Sequence, residues 1–359
     1  MSNVVRIVSP VDGSVFAERP VATPEAVSAA LAAARAAQSA WRRVPLAERA
    51  KVLTAAVEAM LAMRDEIVPE LAWQMGRPIR YGAGELRGFE ERARYMISIA
   101  GDALAPIDPG PKEGFKRWIS REPLGIVFVV APWNYPFLTA VNSVVPALMA
   151  GNAVILKHAA QTLLGGEGFQ MALDRAGLPK GLFTNLVLSH DQTAEIMKKR
   201  LVDQVNFTGS VAGGQAMEAA ASGTFMGLGL ELGGKDPAYV RADVDIAHAV
   251  ENLVDGAFFN SGQSCCGIER IYVHEDVYKP FVEGFVALTG QYVLGSPLEE
   301  ATTLGPMVKA SAADFVRGQI DEALRAGATA HLDAKSFARD AAGSPYMAPQ
   351  VLTGVNHQM

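Results

Sequence analysis

Four short apolar runs alternate with helical segments in the middle of the chain, and this alternation restricts the possible folds more than any other feature. The runs, each of which predicts a buried strand, are GIVFVVAP (125–132), NAVILK (152–157), FTNLVL (183–188) and QVNFTG (204–209). The segments between them have the spacing of apolar residues that is typical of helices. Strands and helices that alternate in this order form a parallel sheet covered on both faces, so the sequence predicts an α/β fold.

The segments on either side of this region have different residue patterns. Residues 23–41 predict a helix with Thr23 as its N-cap and Pro24 at its first position. A second, long helix is expected over 45–71. The stretch GFKRWISREP (114–123) alternates apolar and polar residues, which predicts a solvent-exposed hairpin strand or arm. Beyond residue 240 a further set of strand and helix patterns follows.

Length and charge limit the class of protein. A chain of 359 residues exceeds what one core usually supports, so two domains are expected. The net charge of −6, without a long run of like charges, argues against a nucleic-acid partner or binding to an anionic membrane. The longest apolar run is too short to cross a bilayer. The first twenty residues carry Arg6, Asp12 and Glu18 and resemble no secretory signal, so we expect a cytoplasmic protein.

The two cysteines of the chain, Cys265 and Cys266, are adjacent in FFNSGQSCCGIER (258–270). They cannot easily bridge each other, because a disulfide needs Cα atoms about 4.4–6.8 Å apart and converging Cβ vectors. A chain without a disulfide framework fits a reducing compartment. The pair is therefore either buried filler or includes a reactive thiol. Neither the cysteines nor the six histidines have the spacing of a zinc site, so no metal is expected.

Four segments together resemble the signature segments of the aldehyde dehydrogenase superfamily, in their order and approximate spacing. They are APWNYP (131–136), FTGS (207–210), LELGGKDP (230–237) and GQSC (262–265), and GNAVILK, which ends at Lys157, extends the match. The resemblance implies a Rossmann-type parallel-sheet cofactor domain, an α/β catalytic domain and a β-hairpin oligomerisation arm. It places the cofactor domain at 1–107 and 124–233, the arm at 108–123 and the catalytic domain at 234–359.

The resemblance also implies a catalytic set. Cys265 would add to the aldehyde carbonyl, since an aldehyde cannot expel hydride before a tetrahedral centre has formed. Glu231 would act as the general base, first for the thiol and then for the water that hydrolyses the thioester. Asn134 would donate to the oxyanion together with the Cys265 N–H. Cys266 is expected to be a bystander on the pocket wall.

No G-x-G-x-x-G follows a predicted strand, so the usual dinucleotide fingerprint is absent from the sequence. Instead, QVNFTGSVAGGQAMEAAA predicts a strand, a short turn and a helix whose N-terminus offers N–H donors to a pyrophosphate. By resemblance, the residues that contact NAD or NADP are Trp133, Lys157, Ala160, Phe207, Gly209, Ser210, Leu232 and Gly233.

The chain departs from the family pattern near the cofactor. The family commonly has Lys-Pro-x-Glu where this chain has KHAA (157–160), and that glutamate usually binds the adenosine ribose hydroxyls and would repel a 2′-phosphate. Ala160 does neither, so we expect NADP to be accepted. LSHDQT (188–193) replaces the family's glycine-rich turn after the next strand, which should reshape one wall of the groove.

By resemblance, Tyr135, Thr139, Asn142 and Phe259 face the aldehyde, and none is an arginine that could pair with a substrate carboxylate. The chain ends at Met359, before the family's Glu-x-Phe-Gly-Pro segment, so an incomplete catalytic domain is expected. The resemblance further implies a homodimer or homotetramer. Two alternatives stay open, a non-catalytic truncated homologue and a coenzyme A-acylating aldehyde dehydrogenase, and Glu231 argues against the latter.

Overall fold

A computed structural model describes residues 4–359 and divides the chain into two compact units. The first unit contains Glu18–Ile67 and Gly84–Leu232, and the second contains Ile7–Ala17, Val68–Ala83 and Gly233–Met359. Residues 4–6 also belong to the first unit. Residues 1–3, with which the predicted cofactor domain begins, lie outside the described range.

The helices are α1 (Pro24–Trp41), α2 (Leu46–Leu61), α3 (Arg64–Met75), α4 (Ile79–Ala103), α5 (Pro136–Met149), α6 (Leu163–Arg175), α7 (His190–Lys198), α8 (Val211–Ala221), α9 (Ile246–Phe258), α10 (Glu275–Thr289) and α11 (Ala310–Arg325). The strands are β1 (Val4–Val8), β2 (Val15–Pro20), β3 (Ile126–Val130), β4 (Ala153–Lys157), β5 (Phe183–Asn185), β6 (Gln204–Thr208), β7 (Gly227–Glu231), β8 (Asp236–Val240), β9 (Ile268–Val273), β10 (Thr329–Ala330) and β11 (Leu352–Thr353).

A five-stranded parallel sheet in the order β5-β4-β3-β6-β7 forms the centre of the first unit, as the sequence predicts. Every residue of β3 and β4 is buried, which shows that both faces of the sheet are covered. Connections run outward from β3 in both directions, so the strand order reverses there. In open α/β sheets, ligands bind outside the carboxyl ends of the strands at such a reversal.

The register brings the carboxyl ends of neighbouring strands together. Val130 at the end of β3 pairs with Lys157 in β4 and with Phe207 in β6. Thr208 in turn pairs with Glu231, the last residue of β7. The loops that follow these strands therefore leave the sheet at one edge, and they contain most of the residues assigned by resemblance to the cofactor and the oxyanion.

One predicted helix is wrong in its extent. The expected helix over 45–71 is two helices, because α2 ends at Leu61 and α3 begins at Arg64. Met60, Met63 and Ile67 are all buried, so the apolar periodicity continues across the break. That continuity conceals the break in the sequence pattern.

The predicted arm follows a hairpin path without forming a regular strand. Isolated antiparallel bridges join Ile107 to Ile119 and Lys112 to Phe115, so the strand expected over 114–123 is not formed. Phe115 and Trp118 are exposed. A two-stranded hairpin with no further strand beside it is only marginally stable in water, which accounts for the sparse pairing.

The second unit has its own apolar core beside a parallel pair of strands, β8 and β9. Helices α9 and α10 contribute the core residues Val250, Val254, Val277, Phe281 and Phe285, which pack with Val240 at the end of β8. Within residues 4–359, no helix has both the length and the apolar character needed to cross a membrane.

Candidate active site

Cys265 lies in a short loop of the second unit between a 3₁₀ turn (Phe259–Gly262) and β9. Three successive residues before it have positive φ angles, namely Asn260 at 55°, Ser261 at 58° and Gly262 at 71°. The left-handed region is costly for residues other than glycine, and such conformations concentrate at functional sites. The chain therefore holds a strained turn three residues ahead of its candidate nucleophile.

The thiol of Cys265 is accessible and protonated near neutral pH. The residue is exposed, although partial desolvation of its thiol, with the adjacent Cys266, raises its pKa above the ordinary value. The Cys266 sulfur instead lies 3.2 Å from the hydroxyl oxygen of Ser264. Because only the thiolate is strongly nucleophilic, Cys265 needs a base to remove its proton.

Gly234 packs directly on the backbone of the candidate nucleophile, Cys265. A Cβ atom at position 234 would overlap the carbonyl oxygen of Cys265, so only glycine fits here. This contact explains one glycine of the LELGGKDP segment. It also brings the chain that follows Glu231 and Leu232 against the cysteine loop within the second unit.

Asn134 lies in the loop between β3 and α5, in the first unit. Its side-chain oxygen accepts the N–H of Tyr135 at 3.1 Å, which orients the amide group. The amide nitrogen, the donor that an oxyanion needs, is the other end of the same planar group. Asn134 itself is half-buried.

A buried carboxylate anchors the helix that follows this loop. One side-chain oxygen of Glu85, in α4, accepts the N–H groups of Phe137 at 2.9 Å and Leu138 at 3.0 Å. These N–H groups belong to the first turn of α5, where a helix has no backbone partners for its donors. Sequence reasoning missed Glu85, because a glutamate on a long polar helix is ordinarily solvated.

A buried histidine also anchors the Asn134 loop and was missed. His158 Nε2 lies 3.0 Å from the carbonyl oxygen of Pro136, and Nδ1 lies 3.2 Å from Thr162 Oγ1. Burial is the main cause that lowers its pKa to about 4, so the ring is neutral at pH 7. The available signal was the departure from the family's Lys-Pro-x-Glu, where this chain has histidine in place of proline.

Lys157 and Ala160 flank a shallow cleft at the carboxyl end of β4. The cleft is also lined by Leu163 and by the segment 185–188 that includes the end of β5. Lys157 is 8% exposed, and burial lowers its pKa. Ala160 is exposed and carries no polar side chain. The lining residues include Lys157 and no carboxylate.

The turn at the N-terminus of α8 is closely packed. Ser210 is its N-cap and accepts the N–H of Gly213 at 3.1 Å. The Phe207 ring covers the turn, since a Cβ atom at Gly209 would lie 2.5 Å from it and one at Gly213 would lie 2.6 Å from it. The two glycines thus leave room for the aromatic ring against this turn.

Glu231 is the exposed last residue of β7, and its carbonyl oxygen accepts the N–H of Gly209 at 2.9 Å. Leu232 packs on α8, because a Cβ atom at Gly214 would lie 2.5 Å from its side chain. Gly233 is exposed, and a Cβ atom there would meet nothing within 4 Å.

The residues expected to face the aldehyde are divided between the units. Tyr135 precedes α5, and Thr139 and Asn142 lie one and two turns into that helix. The Thr139 hydroxyl donates to the Tyr135 carbonyl at 2.5 Å, and the Asn142 amide donates to Leu138 at 3.1 Å. Phe259, in the second unit, contacts the ring of Tyr81 edge-on at 5.6 Å.

Within each unit, the structure groups part of the expected site. In the first unit, Trp133 and Asn134 follow β3, Lys157 is the last residue of β4, and Phe207–Ser210 span the end of β6, so they lie at neighbouring strand ends. In the second unit, Phe259 begins the 3₁₀ turn that leads into the Cys265 loop. None of the histidine, cysteine, aspartate and glutamate side chains of residues 4–359 are grouped as a metal site would require.

Known proteins share both sequence and structure with this chain. The family model described as "Aldehyde dehydrogenase family" matches residues 1–359. An NADP(+) succinate-semialdehyde dehydrogenase of Mycobacterium avium is 34% identical over 315 residues, which are 87% of this chain and 66% of that protein. A D-glyceraldehyde dehydrogenase (NADP(+)) of Picrophilus torridus is 32% identical over 320 residues, 89% of this chain and 64% of that protein.

The solved structure of succinate-semialdehyde dehydrogenase from Burkholderia pseudomallei superposes with a TM-score of 0.93 at 30% identity, over 99% of this chain and 73% of that one. A succinic semialdehyde dehydrogenase from Streptococcus pyogenes, solved with NADP+ as the cofactor, gives a TM-score of 0.92 at 25% identity, over 99% and 77%. These matches confirm the family and fold that the sequence motifs predict. The chain belongs to the aldehyde dehydrogenase family.

Proposed function

We propose that this chain oxidises an aldehyde to a carboxylic acid with NADP+, through a thioester on Cys265. The observation that carries the proposal is the Cys265 loop, in which an accessible thiol follows a strained turn and Gly234 packs against its carbonyl. The family membership and the relatives' names support this chemistry. The chain spans only 66% and 64% of the length of two of those relatives, so their activity is proposed for this chain and is not carried over from their names.

The proposed reaction consumes aldehyde, NADP+ and water, and it produces carboxylic acid, NADPH and two protons when the acid ionises. The Cys265 thiol loses its proton to Glu231, and the sulfur adds to the carbonyl carbon. The tetrahedral carbon then loses hydride, for which nicotinamide is the acceptor when the cofactor is bound. Glu231 then releases that proton to solvent and deprotonates a water molecule, which attacks the resulting thioester. The acid is released, and the leaving thiolate takes up a proton to restore the thiol.

Two features of the described residues fit these roles. The raised pKa of Cys265 makes a base necessary, and Glu231 lies three residues before Gly234, which packs on the Cys265 backbone. Asn134 has its amide oxygen engaged by Tyr135, so its amide nitrogen is the end that would donate to the oxyanion. Removal of one such donor typically costs about 3–4 kcal/mol of barrier.

The first unit fits a dinucleotide, and we propose that it accepts NADP. The N-terminus of α8 would hold the pyrophosphate, with Gly209 and Ser210 near the phosphates and Phe207 and Trp133 beside them. Lys157 and Ala160 flank a cleft without a carboxylate, which would admit a 2′-phosphate. Leu232 and Gly233 are proposed to border the nicotinamide.

For the substrate, we propose a small aldehyde. Tyr135, Thr139, Asn142 and Phe259 carry no positive charge, and two of their polar groups already donate to backbone carbonyls. That argues against a substrate carboxylate bound at these positions, although the names of several relatives specify succinate semialdehyde. A panel should therefore compare succinate semialdehyde with glyceraldehyde and with neutral short-chain aldehydes.

The domain bounds, the oligomeric state and the compartment are also proposed from the family resemblance. Residues 1–107 and 124–233 would form the cofactor domain, and residues 234–359 would contribute to the catalytic domain. The exposed apolar side chains of 108–123, including Phe115 and Trp118, support the proposed arm of a homodimer or homotetramer. Free cysteines suit a reducing cytoplasmic compartment.

Rapid mixing of the purified chain with aldehyde and NADP+ or NAD+ would test the proposed function. We expect a burst of reduced nicotinamide of about one equivalent per chain that Cys265→Ala abolishes and Cys266→Ala preserves. Cofactor binding without turnover would favour the non-catalytic homologue. A steady rate that depends on added coenzyme A would favour the acylating enzyme, since acyl transfer would then replace hydrolysis.

A further inference from the structure

A buried arginine distant in sequence contacts the strained turn before Cys265. Arg77 lies in the second unit between α3 and α4, and it is 2% exposed. Its Nε donates to Oδ1 of Asn260 at 3.2 Å, and Asn260 is also buried. A buried guanidinium is costly unless its donors find partners, so a position that retains one is usually held by a specific contact.

The turn that Arg77 contacts would not hold its shape through local preference alone. Asn260 tolerates the left-handed region, but Ser261 does not favour it, and the two adopt it in succession. The Gln263 side chain donates to the Asn260 carbonyl at 3.0 Å and accepts the N–H of Val308 at 2.8 Å. The Ser261 hydroxyl donates to the Gly305 carbonyl at 2.9 Å.

The two segments that contact the turn, 76–77 and 305–308, also pack against each other. Gly76 precedes Arg77 with a φ of 83°, and a Cβ atom there would lie 2.7 Å from the carbonyl oxygen of Pro306. A Cβ atom at Gly305 would overlap the carbonyl oxygen of Gly76. Gly76 and the segment 305–306 are therefore closely packed. Next to them, Arg77 contacts Asn260, Gly305 contacts Ser261 and Val308 contacts Gln263.

We propose that Arg77 is a positioning residue for the nucleophile, acting through Asn260 to hold the left-handed turn that presents Cys265. The inference rests on the proposed function, because it assigns Arg77 a role in the same reaction. The effect of Arg77 on Cys265 would pass through Asn260 and the backbone of 260–264. A misplacement of about 1 Å at a reacting group can cost up to 10²-fold in rate.

A double-mutant cycle on the complete chain tests the contact. Arg77→Met and Asn260→Ala should each lower kcat roughly 10- to 100-fold, with little change in NADP+ affinity. The double variant should lose no more kcat than the more impaired of the two single variants, because both changes release the same turn. Arg77→Lys and Asn260→Asp, which keep a donor or an acceptor, should recover part of the rate.

The matched control is Arg317, also in the second unit, which donates to the carbonyl oxygens of Ser344, Ala341 and Tyr346. Arg317→Met should lower thermal stability and leave kcat near the wild-type value at 25 °C. Equal losses of kcat in Arg317→Met and Arg77→Met would overturn the positioning role, as would losses that multiply in the double variant. If Arg77→Met does not fold, Asn260→Ala and Asn260→Asp test the same contact.

Alkylation of Cys265 by iodoacetamide provides a readout that needs no turnover, measured in a Cys266→Ser background. Release of the turn should reduce the desolvation that raises the thiol pKa, so Arg77→Met and Asn260→Ala should alkylate several-fold faster at pH 7. If these variants alkylate faster but the wild-type protein never reduces NADP+, the proposed function is contradicted, while the result still supports the role of Arg77 in holding the turn. Wild-type alkylation rates in both variants would overturn the inference while leaving the proposed function in place.

Discussion

His158 Nε2 lies 3.0 Å from the carbonyl oxygen of Pro136, and this contact joins the end of β4 to the start of α5. A carbonyl only accepts, so Nε2 carries the proton and Nδ1 is the ring's acceptor when the imidazole is neutral. The Thr162 hydroxyl, 3.2 Å from Nδ1, is then the donor. The neutral ring satisfies both contacts, whereas a protonated ring would turn Nδ1 into a second donor.

The stability of the protein should therefore fall as His158 becomes protonated. Its pKa is lowered in the folded protein from 6.5 to about 4, chiefly by burial and further by the charge of Lys157. The unfolded chain thus binds more protons between these pH values. The stabilisation is fully present above pH 6.5 and is lost as pH falls toward 4, by about 3 kcal/mol in total.

Urea unfolding of wild type and His158→Gln between pH 4 and 7.5 would measure this dependence. Glutamine can donate to the Pro136 carbonyl but does not titrate, and groups common to both proteins cancel in the difference. The difference in unfolding free energy between the two proteins should shrink as pH falls through this range. A pH-independent difference would contradict a neutral, buried His158.

Glu85 should contribute to stability through the first turn of α5. Glu85→Ala removes the acceptor of two buried N–H groups, so we expect a loss of about 2–4 kcal/mol in unfolding free energy. Glu85→Gln keeps a carbonyl acceptor and should lose about half as much, since hydrogen bonds to a charged group are stronger. Glu48→Ala, at an exposed position of α2, is the control and should change stability by less than about 0.5 kcal/mol.

Asn134→Ala should lower kcat about 100-fold or more, because one oxyanion donor is worth about 3–4 kcal/mol of barrier. Asn134→Asp has nearly the same shape and replaces the donor with a negative charge, so its loss should be at least as large. Binding of NADP+, measured by fluorescence titration, should change little in either variant. A fall in affinity that matches the fall in kcat would assign Asn134 to the cofactor instead of the oxyanion.

The central sheet was predictable because its strands are buried on both faces. The apolar runs of β3 and β4 contain no polar residue before Lys157. Such short, continuous apolar runs are typical of strands in a parallel sheet that is covered on both faces. Cys265 and Asn134 could be proposed as site residues from the sequence because their segments have characteristic neighbours. What these residues contact could not be predicted from the same patterns.

The supporting contacts depend on distant pairs that no local pattern records. Arg77 and Asn260 are 183 residues apart, and an arginine after glycine and before proline is ordinarily a surface residue. Glu85 likewise reaches the start of α5 from another helix. Burial of such side chains is a property of the assembled core, since it requires a partner group that only the tertiary structure supplies.

Ala160 should determine part of the choice between NADP and NAD. It is exposed beside Lys157 in a cleft without carboxylates, at the position where the family commonly has a glutamate. A carboxylate there would bind the ribose 2′-hydroxyl of NAD and repel the 2′-phosphate of NADP. We expect Ala160→Glu to lower kcat/KM for NADP at least about tenfold, or 1.4 kcal/mol, and to raise it for NAD.

The neutral variant Ala160→Gln separates charge from size. It should bind NAD through the same hydroxyl yet retain most of the activity with NADP, because the amide does not repel a phosphate. Initial rates with both cofactors, across ionic strengths from 20 to about 200 mM, would show the charge effect weakening as salt screens it. If both variants lose NADP activity equally, the 2′-phosphate is excluded by volume and the assignment of Ala160 as an electrostatic determinant is wrong.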